Sequence, residues 1–514
     1  MPAGSLPRLS KSRFVAGCQC HKLLWWTVHE PDADELKPDK VLQDRFDQGR
    51  QVTTLARTRF PGATLIPFGP EGGRIEATRL ALDFGAPCIQ EGAFSADGVF
   101  VAPDVLLKDG DGYTLIEVKS SSHLKDDHIP DAAIQTHVLR RCGVDVRRVE
   151  VMHLNPEFRH PDQGDLFDRE DVTELVEALL PQVPKMIAGQ TAALAGKLPE
   201  VAIGLHCFEP RECPFHDRCW PADPDHISTL YNNGPKRTCA FMAQGIHSVW
   251  DIPPSEKLPD AAKRQLKALK VGKIIVEPGL RAALNEALGT GGLGFLDFET
   301  INRAVPVWDG LAPWQQTVVQ FSYHEQTGSG IRGPGSEQTG FGVRGSGFGN
   351  YTHRAYLAEG PHDPRPELVE RMLEATANAD RIVMYSPFER SRINELAEQV
   401  PAFANNLKAL AGKLVDLLPI VRNHVYHPDF QGSFSLKYIL TPLVPDLTYS
   451  DLTIVDGEVA SVEIARLLFV AHLVEDRDQL RQDLLAYCER DTWAMVRLVD
   501  RLRELASATG PARA

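Results

Sequence analysis

The 514-residue sequence has no apolar run near the ~20 residues that a membrane-spanning helix needs, which excludes an integral α-helical membrane protein. It is short of cysteine. Nine in 514 residues are too few for a disulfide scaffold and odd in number, so the thiols are read as reduced, some of them as metal ligands. Positive charge is also scarce: 55 Lys and Arg stand against 69 Asp and Glu, a formal net charge of −14. That excludes a generally basic coat for nucleic acid and leaves room for a local basic track. No secretory leader is expected either. Val15-Ala16-Gly17-Cys18 looks like a lipoprotein cleavage box, but Pro2, Pro7, Arg8, Lys11 and Arg13 occupy the place of the apolar stretch such a signal requires. The chain is therefore expected to be cytoplasmic.

What is present is ordinary globular material: 43% hydrophobic and 24% charged residues, enough apolar surface to offset the entropy of folding. Periodicity predicts a helix over 40–60, a hairpin within 99–121, and helices over 131–141 and 170–195. Residues 226–290 read as mainly helical, with a basic stretch of Lys263, Arg264, Lys267, Lys270 and Lys273 that is either a nucleic-acid track or a solvated face. Strands are expected at 294–299, 317–325 and 351–358, and helices at 365–378, 388–398, 461–474 and 477–505. The predicted fold class is α/β in two parts, 1–225 and 291–508, joined by a helical connector over 226–290. A Gly-rich insert over 326–350 carries two copies of G-x-G-x-x-G. Glycine simply continues after each, where a dinucleotide site would open a helix, so the insert is read as a loop.

Three groups of residues carry chemistry. Asp104 follows Pro103 at the start of a strand, and Glu117 and Lys119 sit on its partner. Side chains two apart share a strand face, so Glu117 and Lys119 are expected to point together, with Ile116 and Val118 toward the core. Two carboxylates converging across a hairpin suit a divalent ion, and a neighbouring lysine can offset charge on a phosphate. A solvated face with a surface ion pair is the plainer reading of the triplet alone. The wider text, Pro103-Asp104, Ile116-Glu117-Val118-Lys119 and then Gln135, resembles the PD-(D/E)XK nucleases of the RecB type, including CRISPR-associated exonucleases. That resemblance implies Asp104 and Glu117 as ligands of Mg²⁺ or Mn²⁺, Lys119 as the catalytic lysine, and Gln135 in contact with nucleic acid. Leu139 stands where the family often has a tyrosine.

Cys207, Cys213 and Cys219 form C-x5-C-x5-C, a spacing that suits metal ligands and needs a fourth, Cys20 or Cys18. Zinc is the rival metal, because His21, His206 and His216 could complete a tetrahedron. Ser10-Lys11-Ser12 and Cys20 to Trp25 resemble the N-terminal box of RecB-type nucleases. By that resemblance Cys20, Cys207, Cys213 and Cys219 hold a [4Fe–4S] cluster and Cys18 is a bystander. Cys88, Cys142, Cys239 and Cys488 read as ordinary buried thiols.

Asp297 and Glu299 share one face of a predicted strand, and Tyr487 and Asp491 are four apart on a predicted helix. Two acids on a strand and a third on a distant helix suit a pair of metal ions that drive in-line phosphodiester cleavage. The pattern resembles the DnaQ-like, RNase H-fold 3′–5′ exonucleases with a tyrosine in their last motif. Their second motif would fall at Tyr385 to Glu389, where aspartate is usual and Glu389 is a departure. Asp416 has a lesser, structural reading. Over nearly the whole chain, Cys207 to Trp220, Leu436 to Leu440 and Asp363-Pro364-Arg365 included, the text resembles an uncharacterised bacterial family that fuses these two nuclease types. The resemblance implies an enzyme that hydrolyses phosphodiester bonds of DNA, with single-stranded ends as the favoured substrate. The alternatives are a nucleic-acid-binding scaffold with a dead DnaQ-like half, and an RNA-processing exonuclease. No helicase, repair or defence partner is named by the sequence.

Overall fold

The computed structural model describes residues 8–327 and 351–508 and shows a mixed α/β protein. The Gly-rich insert lies, but for its first two residues, outside the described residues. Contacts divide the chain into two compact units. One holds the residues up to Ala222 together with Arg303–Gln315; the other holds Asp223–Asn302 and the residues from Gln316 onward. The segment 226–290 read as a connector thus falls within the second unit. No helix among the described residues is long and apolar enough to cross a membrane.

The strands of the first unit are β1 (Leu9–Ser10), β2 (Thr64–Leu65), β3 (Cys88–Gln90), β4 (Phe94–Ala96), β5 (Val99–Val101), β6 (Val105–Asp109), β7 (Gly112–Val118), β8 (Val146–Leu154) and β9 (Phe167–Asp171). A six-stranded sheet runs β2-β3-β6-β7-β8-β9, and a three-stranded sheet runs β1-β5-β4. β6 and β7 form the expected hairpin, but β5 leaves it to pair with β1 and β4. Pro103 explains the break, since it cannot donate to a continuous ladder. β9 runs into the segment expected to be helical from 170, taking its first two residues. Its Asp168, Arg169, Glu170 and Asp171 are exposed on the sheet edge, where charge discourages further pairing and hides the strand's period. Apolar side chains on the two faces of β7 enter different cores. Leu115 packs with Phe14, Ala132 and Val138, while Ile116 and Val118 pack with Val52 and Met152.

The strands of the second unit are β10 (Ile275–Val276), β11 (Leu293–Ile301), β12 (Thr317–Gln326), β13 (Tyr351–Leu357), β14 (Arg381–Met384), β15 (Leu414–Asp416) and β16 (Val425–Tyr426). The main sheet runs β13-β12-β11-β14-β15, with β11, β12 and β13 antiparallel and β14 and β15 parallel to β11. β10 and β16 form a separate pair. The long helix Arg477–Ala508 lies across the main sheet: Gln320 Nε2 on β12 donates to its Leu484 carbonyl at 2.9 Å, and its Trp493 and Leu498 join the core with Phe295. In helix Asp260–Val271 the basic stretch divides. Arg264 is buried against Glu277 and the Arg422 carbonyl, whereas Lys263, Lys267 and Lys270 are exposed, with Lys263 paired to Asp260.

Gly294 on β11 is required by a close approach. A Cβ there would stand 2.3 Å from the Tyr323 hydroxyl and 2.4 Å from its ring, and Tyr323 is fully buried. Gly294→Ala is expected to destabilise the second unit by about 1–3 kcal/mol, the usual cost of overpacking. Thermal or urea melts would read this, and an unshifted melt would mean that the ring has room to swing.

Candidate functional site

In the first unit, Ser10 caps helix Lys11–Gln19 by accepting from the Arg13 N–H at 3.3 Å, and buried Leu9 and Phe14 anchor both sides of that start. The cap aims Lys11 inward. Its Nζ donates to Glu117 Oε1 at 2.5 Å and lies 3.8 Å from Asp131 Oδ1. Lys119 Nζ donates to the same Glu117 oxygen at 2.9 Å and pairs with Asp131. Asp104 faces them from the turn before β6 and accepts from the Val118 N–H at 2.8 Å. Three carboxylates thus share two ammonium groups.

Burial favours the neutral acid, so Asp104, also repelled by Glu117, is pushed up to about 7, and Asp131 moves up for the same reasons. Glu117 is as deeply buried, yet the charges of Lys11 and Lys119 outweigh that and hold it well below the usual carboxylate range.

Two expectations need correction here. The face carrying Glu117 is not open: its side chain is 1% exposed, because helix His128–Arg141 covers that side of the sheet. Gln135 is 0% exposed, which excludes direct contact with nucleic acid in this conformation; its Nε2 donates to Glu117 Oε2 at 2.9 Å and so orients the carboxylate. Lys11 and Asp131 were missed. The only trace of Asp131 in the sequence is its place four residues before Gln135, one helical turn away. Lys11 stood only within the Ser10-Lys11-Ser12 box, 106 positions from Glu117 and with no role of its own. The group fits a divalent ion. An ammonium already sits among the three acids as a cation would, and Gln135 Oε1 is buried with no hydrogen-bond partner.

The cysteines converge at the edge of the same unit. Cys20, between helices Lys11–Gln19 and His21–His29, lines one pocket with Cys207, Cys213 and Cys219, walled by Leu23, Trp26 and Phe215. The Cys213 thiol is pushed up to about 11, by burial first and then by the other three cysteines, as befits thiols that share one site. Gln19 Nε2 donates to the His206 carbonyl at 2.8 Å and to that of Arg211 at 2.6 Å, tying the N-terminal helix to the cysteine segment. The donor set suits a thiolate-bound centre. His206 and His216 line the pocket as well. Cys18 lies apart, accepting from Gln190 Nε2 at 3.7 Å. Among the thiols read as buried, Cys142 is exposed instead.

In the second unit, Asp297 and Glu299 on β11 meet Glu389, in the first turn of helix Phe388–Gln399, and Asp491 of the long helix. A β-bulge follows Glu299 and re-aims the end of the strand. All four carboxyls are driven above their ordinary values, by burial first. Asp297 and Glu299 are repelled by Asp491 and one another, Glu389 is pushed up to about 8 and Asp491 to about 6.

Tyr449 donates to Asp491 Oδ1 at 2.5 Å, and Tyr487 bonds the same carboxylate. Lys437 Nζ stands 5.5 Å from the Tyr487 ring centre and lines the open cleft with Asp297, Arg422 and Asp491. Cys488 is more than a buried thiol: its Sγ is 3.7 Å from Asp297 Oδ2, and Asp297, Glu299 and Cys488 bring one ligand atom each within 4.8 Å of one another. Asp416 is structural. Its Oδ1 accepts from the Ser386 and Leu418 N–H groups, at 3.1 and 2.9 Å, holding Ser386 at a φ of +106° just ahead of Glu389. This group fits divalent ions as well, since four carboxyls share one buried site and Glu389 Oε2 has no hydrogen-bond partner.

Residues 294–435 match a family described as a domain of unknown function (DUF2779), well under half of the chain. No curated protein matches. Among solved structures, the chain is similar to an alkaline exonuclease (LHK-Exo) from Laribacter hongkongensis, at 14% identity over 38% of this chain and 90% of that one, with a TM-score of 0.24. So weak a superposition defines neither fold nor activity.

Proposed function

We propose that the chain is a metal-dependent nuclease with two separate phosphodiesterase sites, a RecB-like PD-(D/E)XK site in the first unit and a DnaQ-like, RNase H-fold exonuclease site in the second. The observation that carries this reading is the meeting of Asp297, Glu299, Glu389 and Asp491, from a strand and two helices, in one buried and mutually repelling group beside an open cleft. Such a cluster is costly without cations and suited to them with cations bound. Bound Mg²⁺ or Mn²⁺ would supply charge neutralisation at the phosphate and an activated water. The chain's own residues do the rest. Tyr449 and Tyr487 orient Asp491, and Lys437 and Arg422 offer positive charge to a phosphate entering the cleft. In the first unit Gln135 orients Glu117, and Lys119 is placed to offset charge on the scissile phosphate.

DNA with a single-stranded end is the favoured substrate, and the five-stranded sheet suits the fold that the motifs imply. Incubation of the full chain with end-labelled DNA and Mg²⁺, in competition with an RNA strand of the same sequence, tests the reading. Loss of label from DNA supports it, preferential RNA loss makes it an RNA exonuclease, and binding without cleavage makes it a scaffold.

The cysteine site belongs to the same proposal, as a structural [4Fe–4S] cluster on Cys20, Cys207, Cys213 and Cys219. Cys20 and Cys207 are 187 positions apart, so a shared centre closes a long loop around the first unit. By the loop-entropy argument such closure is worth about 4–5 kcal/mol. Cys20→Ser is expected to yield a colourless, poorly soluble protein and Cys18→Ser a brown, stable one. Iron analysis of anaerobically purified protein checks this, and zinc without iron would replace the cluster with a zinc site.

A further inference from the structure

Behind the second unit's carboxylates lies a group that cleavage does not use. Phe295, His324 and His353 are register partners across β11, β12 and β13, so the two imidazoles stand side by side on the sheet face under the long helix. Their ring centres are 4.5 Å apart. Glu489 descends from the helix, and its Oε1 is 3.6 Å from His353 Nδ1. One ligand atom from each of the three lies within 4.8 Å of the others.

The hydroxyls around them orient the rings. Thr492 Oγ1 donates to the Glu489 carbonyl at 3.0 Å, one turn back. Thr492 Oγ1 also lies 2.8 Å from Ser322 Oγ and 2.8 Å from His324 Nδ1. Ser322 Oγ is in turn 2.9 Å from His353 Nε2. One nitrogen of each ring is thus held from behind, as outer hydrogen bonds hold metal-binding histidines. Both imidazoles are buried, whereas the Glu489 side chain is 36% exposed and gives a path from solvent.

We propose that His324, His353 and Glu489 bind one borderline divalent transition ion, of the Zn²⁺ class, with water as the fourth ligand. Two imidazoles and a carboxylate are donors that such ions select and that Mg²⁺ does not. Bonds of ~2.0–2.1 Å to a tetrahedral centre bring ligand atoms to about 3.3 Å, a contraction that side-chain rotation can supply. The ion would pin the long helix, which carries Tyr487 and Asp491, to β12 and β13.

The test uses the full chain with excess Mg²⁺, so that the carboxylate sites are filled, dialysed against a Zn²⁺ buffer and analysed for metal. Any zinc held by cysteines is common to all variants and cancels. Wild-type protein is expected to retain about one equivalent of Zn²⁺ more than Glu489→Gln or His353→Asn, and zinc should raise the Tm of wild type by more than that of either variant. Glu489→Gln is near-isosteric on a half-exposed position, so it decides the matter if His353→Asn folds poorly. Equal zinc content in wild type and Glu489→Gln would overturn the proposal and leave a hydrogen-bonded histidine pair. Because Mg²⁺-dependent cleavage is not the readout, this result stands apart from the nuclease reading.

Discussion

Lys119→Met should lower metal-dependent cleavage by the first unit about 10²- to 10³-fold, measured in a chain whose second site is already disabled. One well-placed cationic or donor group at a reacting centre is typically worth that much. Lys119 Nζ touches Glu117 and Asp131, beside Asp104, where it would meet a phosphate held by a divalent cation on those acids. The variant also has a stability cost that an open strand face would not have shown. It leaves three buried carboxyls to Lys11 alone, and breaking a buried ion pair costs about 3–5 kcal/mol where no second partner remains. Lys11 should reduce that loss. The Lys119 ammonium is held above its ordinary value because Glu117 and Asp131 outweigh burial. A raised lysine stabilises fully below its unfolded value and loses that contribution only as pH climbs through the folded one. At neutral pH Lys119 therefore contributes in full to wild type, and Lys11 makes up only part of it in the variant. Unchanged cleavage would remove Lys119 from the chemistry.

Asp297→Asn with Asp491→Asn should abolish a separate 3′-directed activity and at the same time make the metal-free protein more stable. Both effects have one cause. Four buried carboxyls repel one another, which attracts cations and strains the fold without them. The sign follows from proton binding. Glu389, at about 8, and Asp491, at about 6, hold protons in the folded chain at pH values where unfolded carboxyls at about 4 have lost them. Folding then takes up protons, so metal-free stability rises as pH falls from about 8 toward 5. Below that window Glu117, whose folded value is depressed, begins to lose its contribution and opposes the trend. Melting curves in chelator across this range should slope in wild type and less steeply in the double variant, where buried Glu299 and Glu389, with Asp104 and Asp131 in the first unit, keep a residual slope. A wild-type Tm independent of pH would contradict the mutual repulsion, and full 3′ digestion by the double variant with Lys119 also replaced would contradict the site.

The acids on β11 were legible because they alternate with apolar residues on a strand, and Tyr487 with Asp491 because they fall on one helical turn. Both are local periodicities that a one-dimensional text preserves. The hairpin of β6 and β7 and the long last helix were legible for the same reason. Strand β9 was not: a charged edge strand has no apolar period to read. Asp131, Tyr449 and Cys488 were also invisible as site residues, and Lys11 stood out only within its N-terminal box, since each gains its role from a partner that only tertiary packing brings near. The depth of the first site was hidden as well. The sequence by itself brought forward most of the candidate acids, Tyr487 and three of the four cysteines, because those residue types cost stability elsewhere in a core and stand out there. Only the tertiary structure decided that Gln135 holds Glu117, that Cys20 and not Cys18 joins the three later cysteines, and that His324, His353 and Glu489 meet. These juxtapositions depend on strand register and helix placement across long separations, and no local pattern encodes either.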